Sequence, residues 1–250
     1  MARAKLYYIP GVVWHLTQRC HNRDFLLKFS RDRKRWLYWL FRAKKRYCLS
    51  ILNYTVTSNH IHLLVYNDGR QNAIPRSILL TASRTAQEYN QRKNRSGSFW
   101  EDNYHATIVE SGEYLRQCLV YIDLNMVRAG KVKHPADWPF CGYNEIQRGR
   151  QRYRLIDTDL LMELLQIKNL EELKSSYKEW IESKLVSKNM EREGLWTENI
   201  AVGTKDFAEK MKAELDIKVY NKKIKELKGT FVLKEQANPY NLFSQGKTVI

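Results

Sequence analysis

Residues 49–66, LSILNYTVTSNHIHLLVY, decide the fold class of this chain. Leu49–Thr57 is rich in β-branched and aromatic residues, which predicts a strand. Ser58-Asn59 provides a short turn, and His60–Tyr66 predicts a second strand that ends before the turn residues Asn67-Asp68-Gly69. We therefore expect two strands joined by a short turn at this point.

The second strand carries two histidines on one face. Side chains of a strand alternate, so Ile61, Leu63 and Val65 face the core while His60 and His62 point from the other face. Two imidazoles about 6–7 Å apart can bind one cation. A pair with this spacing also arises by chance in about one shuffled sequence in seven. A pair of surface or hydrogen-bonded histidines is therefore the alternative interpretation.

Further elements follow outward from this pair of strands. Periodicity and capping predict strands over Gly11–Thr17 and Tyr104–Glu110, and helices over about Arg31–Tyr47, Ile74–Gln91 and Ser111–Ala129. This order predicts an α+β fold, a ferredoxin-like antiparallel sheet with helices on one face. Beyond Arg148–Arg154 the pattern becomes helical, with segments near 157–167, 170–186 and 205–227. We therefore divide the chain into a domain over residues 1–150 and a helical C-terminal extension over residues 151–250.

The charge of the chain is concentrated in its first part. The 250 residues hold 43 Lys and Arg against 27 Asp and Glu, a net charge of +16. Residues 1–150 hold 25 against 11, a net of +14, and residues 151–250 hold 18 against 16, a net of +2. A field of this kind attracts polyanions, of which nucleic acid is the usual one. The alternative is that the lysines and arginines only line solvated faces.

Composition narrows the class of protein. With 43% apolar residues, including seven Trp, fifteen Tyr and eight Phe, the chain is too hydrophobic for intrinsic disorder. The apolar runs are shorter than the roughly 20 residues of a membrane-spanning helix, and the N-terminal residues lack a secretory signal. The four cysteines form no Cys-x-x-Cys pair, so we expect reduced thiols in a cytoplasmic protein.

The predicted helix over Ser111–Ala129 holds a second group of polar residues. Tyr121 and Asn125 are four residues apart and share one helix face. Asp123 is rotated by about 200° from Tyr121 and cannot join that face. If this helix supplies a metal ligand, Asn125 is therefore better placed than the carboxylate. The alternative for Tyr121 is a half-buried packing residue with a solvated hydroxyl.

Several ordered motifs together resemble a known family. They are Val13–Asp24, Asn59–Val65, Phe99–Glu101, Tyr114–Gly130 and Asp137–Phe140. In this order they resemble the REP-associated tyrosine transposases, which are single-tyrosine HUH enzymes related to the IS200-like transposases. The resemblance covers about residues 7–147. Met126 departs from the family's usual proline, a change that a helix accommodates.

The resemblance implies a nuclease domain in which His60, His62 and Asn125 bind a divalent metal. Tyr121 takes the position of the nucleophile, and the implied product is a 5′-phosphotyrosine with a free 3′-hydroxyl. Tyr114, two turns earlier on the same side of the predicted helix, is the second candidate. Mixed nitrogen and oxygen ligands fit Mg²⁺ or Mn²⁺.

We therefore expect a DNA transposase that cleaves and rejoins single-stranded DNA near palindromic hairpins, acting as a monomer or homodimer in the cytoplasm and at the nucleoid when bound to DNA. The alternatives are a hairpin-binding protein without catalysis and a metal-dependent hydrolase that uses water. Candidate DNA contacts, all basic except one aromatic residue, are Arg19, Arg23, Arg42, Lys45, Arg46 and Trp100.

Overall fold

The computed structural model describes residues 9–70, 72–149, 153–187, 193–215, 222–227 and 229–235. The strands are β1 (Val12–Arg19), β2 (Ser50–Val56), β3 (His60–Asn67), β4 (His105–Val109), β5 (Ala201–Gly203), β6 (Lys222–Leu227) and β7 (Thr230–Glu235). The helices are α1 (Ser30–Tyr47), α2 (Ala73–Lys93), α3 (Glu113–Asp123), α4 (Asn125–Arg128), α5 (Gly142–Arg148), α6 (Thr158–Leu165), α7 (Leu170–Val186) and α8 (Lys205–Glu214).

The strands form one sheet in the order β2-β3-β1-β4-β5-β7-β6. The first four are antiparallel neighbours with the connectivity βαββαβ, so the predicted α+β class with a ferredoxin-like antiparallel sheet is confirmed. β5 pairs with β4 in parallel, and the β6–β7 hairpin continues the sheet beyond it. The sheet therefore runs across the division that the sequence suggests at residue 150.

Both faces of the central strands are covered. The side chains of His15, Thr55 and His62 contact α3 and α4 on one face. Helices α1 and α2 pack against each other, and right-handed crossovers between parallel strands place them on the opposite face. Alternation turns Trp14 and Leu16, both almost fully buried, toward that second face. Helices α1 and α2 thus lie on one face of the sheet, and α3 and α4 bring Tyr121 and Asn125 to the other face.

The predicted helix that carries Tyr121 is interrupted in the structure. The segment predicted as one helix over 111–129 divides at Leu124, which has ψ of 1°. Near this break, the guanidinium of Arg128 donates to the carbonyl oxygen of Tyr121 at 2.7 Å, a position that a helical backbone N–H would otherwise serve. Both Tyr121 and Asn125 nevertheless remain on the side of the sheet that carries His62.

The helices predicted in the C-terminal part are present at 158–165, 170–186 and 205–214. The prediction that the last of them extends to residue 227 is wrong. Lys222–Leu227 forms an edge strand instead, paired with β7 through a turn in which Gly229 has φ of +79°. The many Lys and Glu residues of this segment suit a helix by propensity, but pairing with the apolar β7 overrides that preference. Among the described residues, none of the helices combines the length and apolar character needed to cross a bilayer.

Candidate active site

Histidines from two neighbouring strands meet the polar residues of α3 and α4. Thr17 of β1 lies opposite His62, so His15 is the diagonal neighbour of His62 on the same face. The ring centroids of His60 and His62 are 5.0 Å apart, and those of His62 and Tyr121 are 5.8 Å apart. Nδ2 of Asn125 is 2.9 Å from Nε2 of His62. The four residues that the sequence singled out, His60, His62, Tyr121 and Asn125, therefore lie together.

A chain of hydrogen bonds sets the tautomer of His62. Nδ1 of His15 lies 2.8 Å from the carbonyl oxygen of Trp196, which can only accept, so Nδ1 carries the proton. Burial lowers the pKa of His15 to about 4, so its ring is neutral and Nε2 is an acceptor. That nitrogen is 2.9 Å from Nδ1 of His62, which must therefore be the donor. His62 is left with a lone pair on Nε2, the form that binds a metal.

His60 is oriented by its own strand turn. Its Nδ1 lies 2.8 Å from Oδ1 of Asn59 and 3.0 Å from Oγ1 of Thr57. Because Nδ1 is engaged by these two side chains, a metal bond to His60 would use Nε2. Both histidines thus present the same type of nitrogen, and each is held by a partner behind it.

The donor set fits a divalent cation that accepts nitrogen and oxygen ligands. Burial, followed by the neighbouring His60 and His15, lowers the pKa of His62 well below its ordinary value, so the ring is neutral. Within the part of the chain that the structure describes, no three His, Cys, Asp or Glu side chains gather as a metal site. Asn125 is the polar side chain that faces Nε2 of His62, and its amide would present an oxygen there if it were turned over.

Tyr121 lies beneath an arginine and beside a tryptophan. The Arg128 guanidinium carbon is 4.1 Å from the centroid of the Tyr121 ring, and the Trp196 ring centroid is 6.2 Å from it. Tyr121 is 6% exposed and lines a cleft of about 440 Å³ between α3 and α7. The cleft carries cations and anions together, namely Arg116, Arg128, Lys184, Glu179 and Glu193.

Asp123 faces away from this group, as its position on the helix predicts. Its carboxyl accepts from Asn53 and Thr55 at 3.3 Å each and from the hydroxyl of Tyr177. The residue is 1% exposed, and burial raises the pKa of its carboxyl to about 7, against the opposing effect of these hydrogen bonds. Asp123 therefore links α3 to β2 and α7 and is not part of the histidine site.

Comparison with known proteins agrees with the resemblance that the motifs carry. The family model described as Transposase IS200 like matches residues 9–125. This segment is therefore similar to the IS200-like transposases. It contains β1 to β4, α3 and all four residues of the candidate site.

Two solved structures resemble the chain at low identity. One is a REP-associated tyrosine transposase bound to a REP hairpin, with 19% identity and a TM-score of 0.47 over 62% of this chain and 90% of that chain. The other is a candidate transposase from Deinococcus radiodurans R1, with 14% identity and a TM-score of 0.34 over 52% of this chain and 98% of that chain. No curated protein matches the chain.

The basic residues expected to contact DNA lie in two places within residues 9–125. Arg19 ends β1 opposite His60 and is 4.0 Å from Glu101, and Arg23 is exposed in the following loop. A second group is exposed near the end of α1, which precedes the start of β2: Arg42, Lys45 and Arg46. Because β2 begins opposite Tyr66, this group lies about 20 Å along the sheet from His60.

Trp100 does not have the exposure that base stacking requires. It is 9% exposed, its Nε1 donates to the carbonyl oxygen of Ala82 at 3.0 Å, and its ring lies 4.8 Å from that of Phe99. Because its ring is buried against α2 and Phe99, it is a core residue, and we do not retain it as a DNA contact.

Three residues of the site are not apparent from sequence reasoning. Alternation along β1, with Trp14 and Leu16 on one face, places His15 on the other face, but nothing local signals its contact with His62. Arg128 lies seven residues after Tyr121, and its hydrogen bond to the Tyr121 carbonyl oxygen accompanies the interruption of the helix at Leu124, which no sequence pattern signals. Trp196 comes from the C-terminal part, and no local pattern signals its contact with His15.

Proposed function

We propose that this chain is a single-tyrosine DNA transposase that cleaves and rejoins single-stranded DNA near palindromic hairpins. The observation that carries the proposal is the meeting of Tyr121 with His62 and Asn125 on one face of the sheet. The match of residues 9–125 to the IS200-like family supports the same class of reaction. The net charge of +14 on the first 150 residues supports a nucleic-acid substrate.

Tyr121 is the nucleophile in this proposal. Its phenolic oxygen attacks the phosphorus of one phosphodiester, the bond to the 3′-oxygen breaks, and a 5′-phosphotyrosine forms. The phenol loses its proton and the departing 3′-oxygen gains one, so the products carry a free 3′-hydroxyl. A phenol with a pKa near 10 is a weak nucleophile at neutral pH. The guanidinium of Arg128, 4.1 Å from the ring centroid, favours the negative charge that develops there.

The histidine side of the site would hold Mg²⁺ or Mn²⁺. The ligands would be Nε2 of His60, Nε2 of His62 and the amide oxygen of Asn125, with His15, Asn59 and Thr57 holding the rings behind them. When bound, such a cation supplies Lewis-acid polarisation of the scissile phosphate. The role of the protein is to orient both imidazoles, and to keep that of His62 neutral, so that they are able to bind it.

Rejoining needs no nucleotide cofactor. The covalent link to Tyr121 keeps the phosphodiester bond energy, so a second 3′-hydroxyl can attack the phosphotyrosine and release the enzyme. The same residues then act in reverse order, with the phenol regaining its proton as it leaves.

The test is a radiolabelled hairpin oligonucleotide with single-stranded flanks, incubated with Mn²⁺ and resolved on a denaturing gel. We expect a band of protein covalently joined to DNA, which disappears in Tyr121→Phe and persists in Tyr114→Phe. His62→Ala should lose cleavage while it retains hairpin binding. A retarded but uncleaved complex in the wild type would instead favour a DNA-binding protein without catalysis. Cleavage without a covalent band would favour a metal-dependent hydrolase that uses water.

A further inference from the structure

Two large aromatic side chains are exposed in the loop between β1 and α1. Phe25 is 64% exposed and Phe29 is 55% exposed, in a loop whose neighbouring Leu26 and Leu27 are buried. Exposing two phenyl rings to water is unfavourable. Large apolar side chains that are exposed close together and rimmed by charged residues are typical of an interaction site.

The loop is held firmly, so the exposure does not come from a loosely attached segment. The backbone N–H of Leu27 donates to the carbonyl oxygen of Ser58 at 2.9 Å. The guanidinium of Arg33 donates to the carbonyl oxygens of Leu27 and Lys28 at 2.8 and 2.7 Å. The N–H of Lys28 donates to the carbonyl oxygen of Phe25 at 3.0 Å, which closes a turn and brings Phe25 close to Lys28 and Phe29.

The surroundings of the two rings are mainly cationic. Nζ of Lys93, at the end of α2, is 5.6 Å from the Phe29 ring centroid, and Nζ of Lys28 is 5.9 Å from it. Arg23 is exposed two residues before Phe25, and Asp24 is the acidic residue between them. Aromatic faces among lysines and arginines complement a ligand that combines flat rings with phosphates, and single-stranded nucleic acid is such a ligand.

The same loop is joined directly to the candidate active site. The side-chain amide of Asn59 donates to the carbonyl oxygen of Arg23 at 3.1 Å, while its oxygen is 2.8 Å from Nδ1 of His60. The N–H of Cys20 donates to the carbonyl oxygen of Asn59 at 2.7 Å. A strand of DNA that reaches His60 would therefore pass close to the loop.

We propose that Phe25 and Phe29 stack against unpaired bases of single-stranded DNA next to the scissile phosphate, with Arg23, Lys28 and Lys93 binding its backbone. This platform rests on the proposed function, because it assigns a surface for the single-stranded part of that substrate. Bases stack on aromatic rings with little regard to sequence, so the platform positions the strand and does not select the target. Losing each stack should weaken binding of the single-stranded part by about tenfold.

The experiment measures how much a single-stranded extension adds to the affinity for a hairpin. The probes are a fluorescent DNA hairpin with blunt ends and the same hairpin with a ten-nucleotide thymidine extension on its 5′ side or its 3′ side. Tyr121→Phe protein is used throughout so that no probe is cleaved. We expect at least one extension to tighten binding in the reference protein, and Phe25→Ala/Phe29→Ala to remove most of that gain while the blunt hairpin binds as before.

Matched variants separate stacking from general apolar contact. Phe25→Leu/Phe29→Leu keeps an apolar surface but has no aromatic face, so it should behave as the alanine pair does, whereas Phe25→Trp/Phe29→Trp should retain the gain. Leu79→Ala is the control, since Leu79 is 70% exposed and lies about 21 Å along α2 from Lys93. All these side chains are exposed, so thermal unfolding of each variant should match that of the reference protein.

The outcomes distinguish this platform from the proposed function. The platform is wrong if an extension tightens binding to Phe25→Ala/Phe29→Ala as much as to the reference protein. It is also wrong if neither extension tightens binding to the reference protein, even if Tyr121 cleaves DNA. A gain that depends on Phe25 and Phe29 supports the platform even if the wild type never forms a covalent adduct. If the alanine pair binds every probe normally but changes the sedimentation of the free protein, the rings form an interface between proteins and the platform is wrong.

Discussion

Replacing Asp123 by asparagine should stabilise the protein at neutral pH and leave it little changed in acid. The carboxyl of Asp123 is 1% exposed and lies between β2 and α7, where it contacts the side chains of Asn53, Thr55 and Tyr177. An asparagine has the same shape. Its oxygen can still accept from Thr55, and its NH₂ can donate to the hydroxyl of Tyr177, which then donates to the carbonyl oxygen of Leu119 at 3.4 Å. The amide of Asn53 loses its acceptor on residue 123 but still donates to the hydroxyl of Tyr177 at 3.1 Å.

The sign follows from the direction of the pKa shift. Burial raises the pKa of Asp123 from 3.8 to about 7 in the folded protein. Below pH 4 the carboxyl is protonated in both the folded and the unfolded chain, so its pKa shift does not lower the free energy of unfolding. Between pH 4 and 7 the unfolded chain releases the proton first, so stability falls by about 1.4 kcal/mol for each pH unit. Above pH 7 the loss of free energy of unfolding is constant, and a rise of about three in the pKa corresponds to a loss of about 4 kcal/mol.

Urea unfolding of the wild type and Asp123→Asn, from pH 4 to pH 8 in EDTA, measures this cost. The difference in the free energy of unfolding should grow by up to about 4 kcal/mol toward neutral pH and then level off. Asp159→Asn, an exposed aspartate on α6, provides the matched control and should show no such growth. A difference that is independent of pH, or that favours the wild type more as pH rises, would mean that the hydrogen bonds to the carboxylate outweigh its burial, and would refute the reasoning.

Three further predictions concern the site and its charge. Arg128→Gln should lower the rate of covalent adduct formation by about 10²-fold with hairpin affinity little changed, because a preorganised charge near the developing oxyanion is lost; equal rates in single-turnover gels would contradict this. His15→Ala should weaken Mn²⁺ binding by about 10- to 100-fold, since the partner that sets the His62 tautomer is removed; isothermal titration measures it, and unchanged affinity would refute the relay. The logarithm of the hairpin affinity should fall linearly with the logarithm of the salt concentration. Replacing Arg42, Lys45 and Arg46 together by Gln should make that slope shallower, because fewer phosphates are then neutralised. An unchanged slope would show that these cations do not contact DNA.

The parts of the fold that local patterns describe were predictable. The β-branched and aromatic content of Leu49–Thr57, the alternation within His60–Tyr66 and the helical period of residues 111–129 identify the elements that carry His60, His62 and Tyr121. The break at Leu124 was not predictable, since it coincides with a side-chain contact between Arg128 and a main-chain carbonyl. The β6–β7 hairpin was also missed, because an edge strand rich in lysine has no apolar alternation to reveal it.

The support behind the metal ligands depends on contacts between distant parts of the chain. Residues that are close in sequence, such as Thr57, Asn59 and His60, form the local part of the site and can be recognised together. His15 and His62 are separated by 47 positions and meet only through the register of β1 with β3. Sequence reasoning could place both histidines on strands, but it could not give that register.

The C-terminal part of the chain bears on the site although its net charge is only +2. β5 pairs with β4, and the single turn of helix over Gly194–Trp196 lies immediately before it. This attachment holds the carbonyl oxygen of Trp196 against His15, and the tautomer of His62 follows from that one acceptor. Residues 9–125, which match the IS200-like family model, therefore contain every candidate ligand and the candidate nucleophile, but not the Trp196 carbonyl that orients His15 and, through it, His62. In this chain the residues after 150 complete the site.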